Sequence, residues 1–159
     1  MVRAAAKDGK RASRHPLDCS ILYNDIFPQE SSEVMPKQPP PPGVSKEQEH
    51  TSKPGMGVTH VGPVEMLSTP AMIGFMEGTA MGLLQQYLDP HERSVGARVD
   101  VRHLAPTPVP GKVKVKATFL RTEGRRYIFE VQAFAGEVKI GEGIHERAVI
   151  DPSRFQPRG

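Results

Sequence analysis

Cysteine occurs once in the 159 residues, as Cys19. A single thiol forms no internal disulfide, so the fold must rest on packing, and a reducing compartment is the expectation. No apolar run approaches the eighteen or so residues that a membrane-spanning helix needs. No apolar stretch follows the basic start, so no secretory signal is expected either. The formal net charge is only +3, too slight to argue for a nucleic-acid partner. Metal-ligand spacing, a phosphate-cradling glycine loop and a Ser-His-Asp elbow are all missing, so neither a metal nor a cofactor is predicted. Apolar residues are scarce at 37%, against 16 prolines and 15 glycines. Part of the chain should therefore stay outside a packed core, leaving room for one domain of ordinary size.

The composition divides the chain near Lys53-Pro54-Gly55. The start carries Arg3, Lys7, Lys10, Arg11 and Arg14 against Asp8 alone. Leu17 to Phe27 is the one apolar patch of this part. Pro39 to Pro42 favour polyproline II and cannot join a helix or sheet interior. Ser45 to Lys53 reads as a charged, solvated linker. Residues 1–54 are thus predicted to be a disordered extension, and 55–159 the folded domain. A cytoplasmic location is expected, with organelle targeting by the basic start as the alternative.

From Gly55 onward the pattern is regular. Val58 to Leu67 predicts a first strand. Ser68-Thr69-Pro70 is a helix-start signal, with Thr69 at the N-cap and proline at the first helical position. Ala71 to Leu88 has apolar residues at helical spacing, including Met72, Phe75, Met76, Leu83 and Tyr87. Gly74 and Gly78 fall on one face of it, where their cost in helix propensity implies close approach of a backbone or ligand. Asp89-Pro90 ends the helix. Val95, Ala97, Val99, Val101 and His103 then alternate with Arg98, Asp100 and Arg102. Val113, Val115, Ala117 and Phe119 alternate with three lysines. Tyr127, Phe129, Val131 and Ala133 form a third apolar face, and Val138 to Ile150 one or two last strands, with Gly141 and Gly143 as bulge points. Turns at Glu123-Gly124 and Ala135-Gly136-Glu137 separate them. An antiparallel sheet with one apolar face needs a cover, and one long helix is the only cover at hand. The predicted class is α+β, in the hot-dog arrangement of a sheet wrapped around a central helix.

Four features could carry chemistry. His103 lies on a strand face otherwise apolar, where burial keeps a ring neutral and able to take a proton; a structural histidine fits as well. Glu77 sits mid-helix among Ile73, Met81 and Leu84, as a base, a nucleophile or an edge residue reaching solvent. Thr69 caps the helix or works beside the free amides of its positive end. Eight residues separate Thr69 from Glu77, about 12 Å along a regular helix, so the two do not touch directly unless Thr69 lies outside the helix and folds back. Among Arg98, Arg102, Lys112, Lys114, Lys116, Arg125 and Arg126, the arginines suit phosphates and the lysines a solvated strand face.

The stretch Ser68-Thr-Pro-Ala-Met-Ile-Gly-Phe-Met-Glu77 resembles the helix start of the fluoroacetyl-CoA thioesterase-like hot-dog proteins. So do Ser94-Val-Gly-Ala-Arg-Val-Asp-Val-Arg-His-Leu-Ala-Pro-Thr-Pro108, Glu123-Gly-Arg-Arg126 and Ile140-Gly-Glu-Gly-Ile-His-Glu-Arg-Ala-Val-Ile150. The likeness covers roughly Val58 to Phe155. It implies hydrolysis of a small acyl-CoA by a homodimer whose active site lies near the subunit interface. It also implies catalysis by a threonine, a glutamate and a histidine, which fall on Thr69, Glu77 and His103. Gly96 is expected near the acyl group, Arg125 and Arg126 on the substrate, and His145-Glu146-Arg147 in a structural role. CoA would enter as part of the substrate. The segment Gly55 to Leu67 has no aromatic residue beyond His60, so the aromatic lid that selects a fluorinated acyl group in the fluoroacetate enzyme is not expected here. The rival function is a non-catalytic acyl-CoA or fatty-acyl binding protein on the same fold; a hot-dog dehydratase fits Thr69 and Glu77 less well.

Overall fold

The computed structural model describes residues 38–154; the basic start and the Leu17–Phe27 patch lie outside them. Among the described residues, seven strands and one α-helix follow in the order β1 (Ser45–Ser52), β2 (Gly57–Val58), β3 (Met66–Leu67), α1 (Thr69–Leu84), β4 (Arg93–His103), β5 (Gly111–Glu123), β6 (Arg126–Ala135) and β7 (Val138–Ile150). A 3-10 turn, Gln85–Tyr87, continues α1, so the helical stretch ends close to the predicted Leu88. β1, β5, β6, β7 and β4 form one antiparallel sheet in that order, and α1 packs across its inner face.

The period-two patterns place the core. Val113, Val115, Ala117 and Phe119 of β5 and Tyr127, Phe129, Val131 and Ala133 of β6 are all buried against Met72, Met76, Ala80, Leu83 and Leu84 of α1. Phe119 meets Phe129 edge to face, with ring centroids 5.5 Å apart. The hairpin turns close on Gly124 and Gly136, with φ near +57° and +58°, where side chains are disfavoured. Close approach between helix and sheet falls on a different glycine from those predicted. A Cβ on Gly141 of β7 would come 2.5 Å from the Met72 sulfur, whereas one on Gly74 or Gly78 would meet nothing within 4 Å.

Three expectations are corrected. Ser45 to Lys53 is no solvated linker: Ser45–Ser52 is the edge strand β1, in register with β5 from Ser45 opposite Thr118 to Ser52 opposite Gly111. Its composition hid it, because an edge strand can be polar on both faces. Glu49 pairs with Lys112 at 2.8 Å, Lys46 donates to the Gly82 carbonyl, and His50 stacks on Phe75 with centroids 4.7 Å apart. The sheet therefore begins before the boundary predicted at Gly55. The predicted first strand, Val58 to Leu67, is instead the two short strands β2 and β3 of a separate ribbon, pairing Gly57 with Leu67 and Val58 with Met66. The N-cap is Ser68, not Thr69: the Ser68 Oγ accepts from the Ala71 amide at 3.3 Å. Val138 to Ile150 is a single strand.

Candidate active site

Shifting the cap to Ser68 frees the Thr69 hydroxyl. Thr69 occupies the first helical position, exposed at the positive end of α1, with its Oγ1 3.0 Å from the Nδ1 of His103 at the far end of β4. The His103 Nε2 is buried and has no hydrogen-bond partner within the described chain. A buried ring nitrogen left unpaired costs free energy unless a second molecule satisfies it.

His103 and Gly96 both face the helix, although their odd separation would put them on opposite faces of a regular strand. The register of β4 against β7 shifts between Gly96 and Arg98, leaving Ala97 as a bulge. Beyond the bulge Val99, Val101 and His103 turn inward; before it Ser94 and Gly96 do. The single face predicted from Val95 to His103 is thus broken at Ala97.

Gly96 opens onto Glu77. A Cβ at Gly96 would lie 2.7 Å from the Glu77 Oε1 and 3.4 Å from the His145 Cε1. Glu77 is 39% exposed through its side chain, and its Oε1 stands 3.9 Å from the His145 Nε2. His145 is buried at 1% exposure, with its Nδ1 3.0 Å from the Arg98 carbonyl. Arg147, also buried, donates from Nε to the Ser94 Oγ at 3.0 Å and from Nη2 to the Ser94 carbonyl at 2.8 Å. Its Nη1 lies 3.1 Å from the His145 Nε2 and 3.5 Å from the Glu77 carbonyl. Burial pushes His145 below the ordinary histidine range, and the Arg147 charge adds to that effect. Burial lowers Arg147 as well, while the Glu77 carboxylate works in the opposite direction.

The structure therefore brings Thr69 to His103, and Gly96 to Glu77, as two separate groups on one face. Arg125 and Arg126 join neither. Arg125 donates to the Val149 carbonyl at 3.2 Å, and Arg126 pairs with Glu146 at 3.0 Å and Glu123 at 3.7 Å on the outer side of the sheet. Among the described residues no group of three His, Cys, Asp or Glu side chains is placed to hold a metal ion, and no helix is long and apolar enough to cross a membrane. The residues under-read from sequence are Ser94, His145 and Arg147. Their signal was polar side chains at inward positions of strands otherwise built from apolar residues.

Solved hot-dog proteins superimpose on this architecture. The structure of the fluoroacetyl-CoA thioesterase FlK matches with a TM-score of 0.68 at 33% identity, over 74% of this chain and 93% of that one. A hypothetical protein of Thermus thermophilus, a thioesterase superfamily member, matches with a TM-score of 0.67 at 29% identity, over 74% and 88%. The chain is an acyl-CoA thioesterase of the hot-dog class. It is 39% identical to the fluoroacetyl-CoA thioesterase of Streptantibioticus cattleyicolor over 94 residues, 59% of this chain and 68% of that protein. Residues 47–153 match the fluoroacetyl-CoA-specific thioesterase family, and the chain belongs to that family.

Proposed function

We propose that Thr69, Glu77 and His103 carry the hydrolysis of a small acyl-CoA, and that they meet only when two copies pair along β4. The observation that carries this reading is the Thr69–His103 contact, with the buried Nε2 of His103 left without a partner at the open edge of the sheet. β4 is eleven residues long, contains no proline and, among the described residues, pairs on one side only, so it is a ready template for a second strand. Gly96 and His103 lie three residues on either side of the Val99–Asp100 peptide. Antiparallel pairing of two copies about that peptide would set the Thr69–His103 group of one subunit against the Glu77–Gly96 group of the other.

In this scheme the substrate carbonyl is polarised by the free amides at the start of α1. His103 donates its Nδ1–H to the Thr69 Oγ1, which fixes the tautomer and leaves a lone pair on Nε2. Water adds to the carbonyl carbon and gives its proton to Nε2; the C–S bond breaks, and Nε2 returns the proton to the leaving sulfur. Glu77 either holds that water or attacks first, breaking the C–S bond and expelling the thiolate to leave a mixed anhydride; water then cleaves the anhydride, freeing the Glu77 carboxylate, and its proton passes through Nε2 to the thiolate. Both routes close through His103. Protein side chains suffice, with CoA entering only as part of the substrate. Arg125 and Arg126 remain the proposed phosphate partners, Arg126 exchanging its carboxylates for phosphate on binding. The protein is proposed to work as a homodimer in a reducing compartment such as the cytoplasm. Fluoroacetyl-CoA is a candidate substrate through its relatives, although His60 alone stands where an aromatic lid would.

The test is thiol release from acetyl-, fluoroacetyl-, propionyl-, phenylacetyl- and medium-chain acyl-CoA. Glu77→Gln and His103→Ala should each be inactive as homodimers. Co-folded in equal amounts, half the dimers would be mixed and one of their two sites intact, restoring about a quarter of the wild-type activity. Absence of recovery would refute the shared site, and tight binding without thiol release would refute hydrolysis.

A further inference from the structure

His145 and Arg147 flank Glu77 in an arrangement that a structural role alone does not require. The Arg98 carbonyl can only accept, so the His145 Nδ1, 3.0 Å away, carries the ring hydrogen. The Arg147 Nη1 can only donate, so the His145 Nε2, 3.1 Å away, presents its lone pair. Both contacts specify the same neutral tautomer, in a ring almost wholly buried. Ser94 takes the Nε and Nη2 ends of the guanidinium through its hydroxyl and its carbonyl. Four of the five Arg147 N–H groups thereby meet neutral acceptors: the Ser94 hydroxyl, the Ser94 carbonyl, the His145 Nε2 and, at 3.5 Å, the Glu77 carbonyl.

The consequence falls on the carboxylate. A planar guanidinium beside a glutamate ordinarily forms a short, forked pair, which would commit the carboxylate oxygens to donors and blunt them as base or nucleophile. Here the contact of Arg147 with Glu77 is a long one to the backbone carbonyl, at 3.5 Å, and the Glu77 Oε1 rests 3.9 Å from the His145 Nε2, beyond hydrogen-bond distance. The oxygen occupies the space that a side chain at Gly96 would fill. Glu77 is drawn towards a positive charge while its Oε1 is left uncommitted.

We infer that His145 is a positioning residue: by accepting the Nη1–H of Arg147 it keeps the guanidinium from pairing with the Glu77 carboxylate. This rests on Glu77 acting at the thioester. Two neutral substitutions separate the two ends of the ring. His145→Asn keeps a donor near the Nδ1 position and removes the acceptor at Nε2. His145→Gln reaches the Nε2 position with an amide oxygen and gives up the donor.

The experiment compares crystal structures, Tm and steady-state kinetics of wild type and both variants. His145→Asn should bring the Arg147 Nη1 within hydrogen-bond distance of the Glu77 carboxylate, lower kcat at least about tenfold and leave KM within about threefold. His145→Gln should keep the two apart and hold kcat within about threefold of wild type. Equal losses in both variants, or a Glu77–Arg147 separation unchanged in His145→Asn, would overturn the inference. If His145→Asn does not fold, His145→Gln decides: a retained separation with retained kcat supports the inference, and a lost kcat with retained separation overturns it. A wild type that releases no thiol, with the Arg147 movement still seen in His145→Asn, would leave the positioning intact and remove the catalytic reading.

Discussion

Replacing Gly96 by alanine separates the site from the fold. The new Cβ would lie 2.7 Å from the Glu77 Oε1, so the oxygen must retreat by roughly 0.7 Å to reach ordinary contact. It can do so cheaply, because it is the end of a flexible side chain that is 39% exposed. The second neighbour, the His145 Cε1 at 3.4 Å, already sits at an acceptable distance. Gly96 is not among the glycines with positive φ, so alanine adopts its backbone without strain. Stability should hold or rise by up to about 1 kcal/mol, through the lower entropy of the unfolded chain. Catalysis should suffer, since displacements approaching 1 Å cost up to about a hundredfold. The expected loss in kcat is about 10- to 100-fold, or roughly 1.4–2.7 kcal/mol of transition-state stabilisation. Thiol release under saturating substrate reads the first quantity and thermal unfolding the second. Wild-type kcat in a folded Gly96→Ala protein would refute the claim that the position of Glu77 matters to the reaction. A collapse in Tm would show that Gly96 serves the backbone instead.

Two further outcomes follow from other parts of the molecule. Ser52 is fully buried, and its Oγ both donates to the Gly111 carbonyl at 3.1 Å and accepts from the Gly111 amide at 2.8 Å, so it ties the end of β1 to β5. Ser52→Ala removes both of these buried bonds and should cost about 1–3 kcal/mol in chemical denaturation; an unchanged midpoint would refute the tie. Burial lowers both His145 and His50 in the folded state. The unfolded chain then binds more protons than the folded one just below the ordinary histidine value of about 6.5. Their contribution to stability is complete above that pH and is lost as pH falls through the depressed folded values. Tm should therefore decline on acidification from about pH 6.5, and less steeply in His145→Gln; equal slopes would assign the decline to other groups.

What the chain declares locally is its repeating pattern. Alternation in β5, β6 and β7 and helical spacing in α1 are single-chain properties, set by which side chains must leave water, so the sheet-on-helix class is legible in the sequence. The same holds for the type of the site residues, because a histidine on an apolar face and a glutamate among apolar neighbours advertise themselves. β1 was not legible, since its strand character comes from partners 59 to 73 residues away in β5, from Ser52 opposite Gly111 to Ser45 opposite Thr118, rather than from its own polar sequence. The cap at Ser68 was missed by one residue, because either of two adjacent hydroxyls satisfies the same signal, and the Met56 carbonyl that takes the Ser68 hydroxyl is distant in sequence. Only the tertiary structure could place the bulge at Ala97, which turns Gly96 and His103 to one face. Sequence settled α1 and the strands β5 to β7 and the side-chain types available to a site, because periodicity and side-chain type are local. The fold alone decided that Thr69 meets His103 and that Glu77 sits by Gly96, His145 and Arg147, because those contacts depend on register and bulge, which are properties of pairs of strands rather than of any one segment.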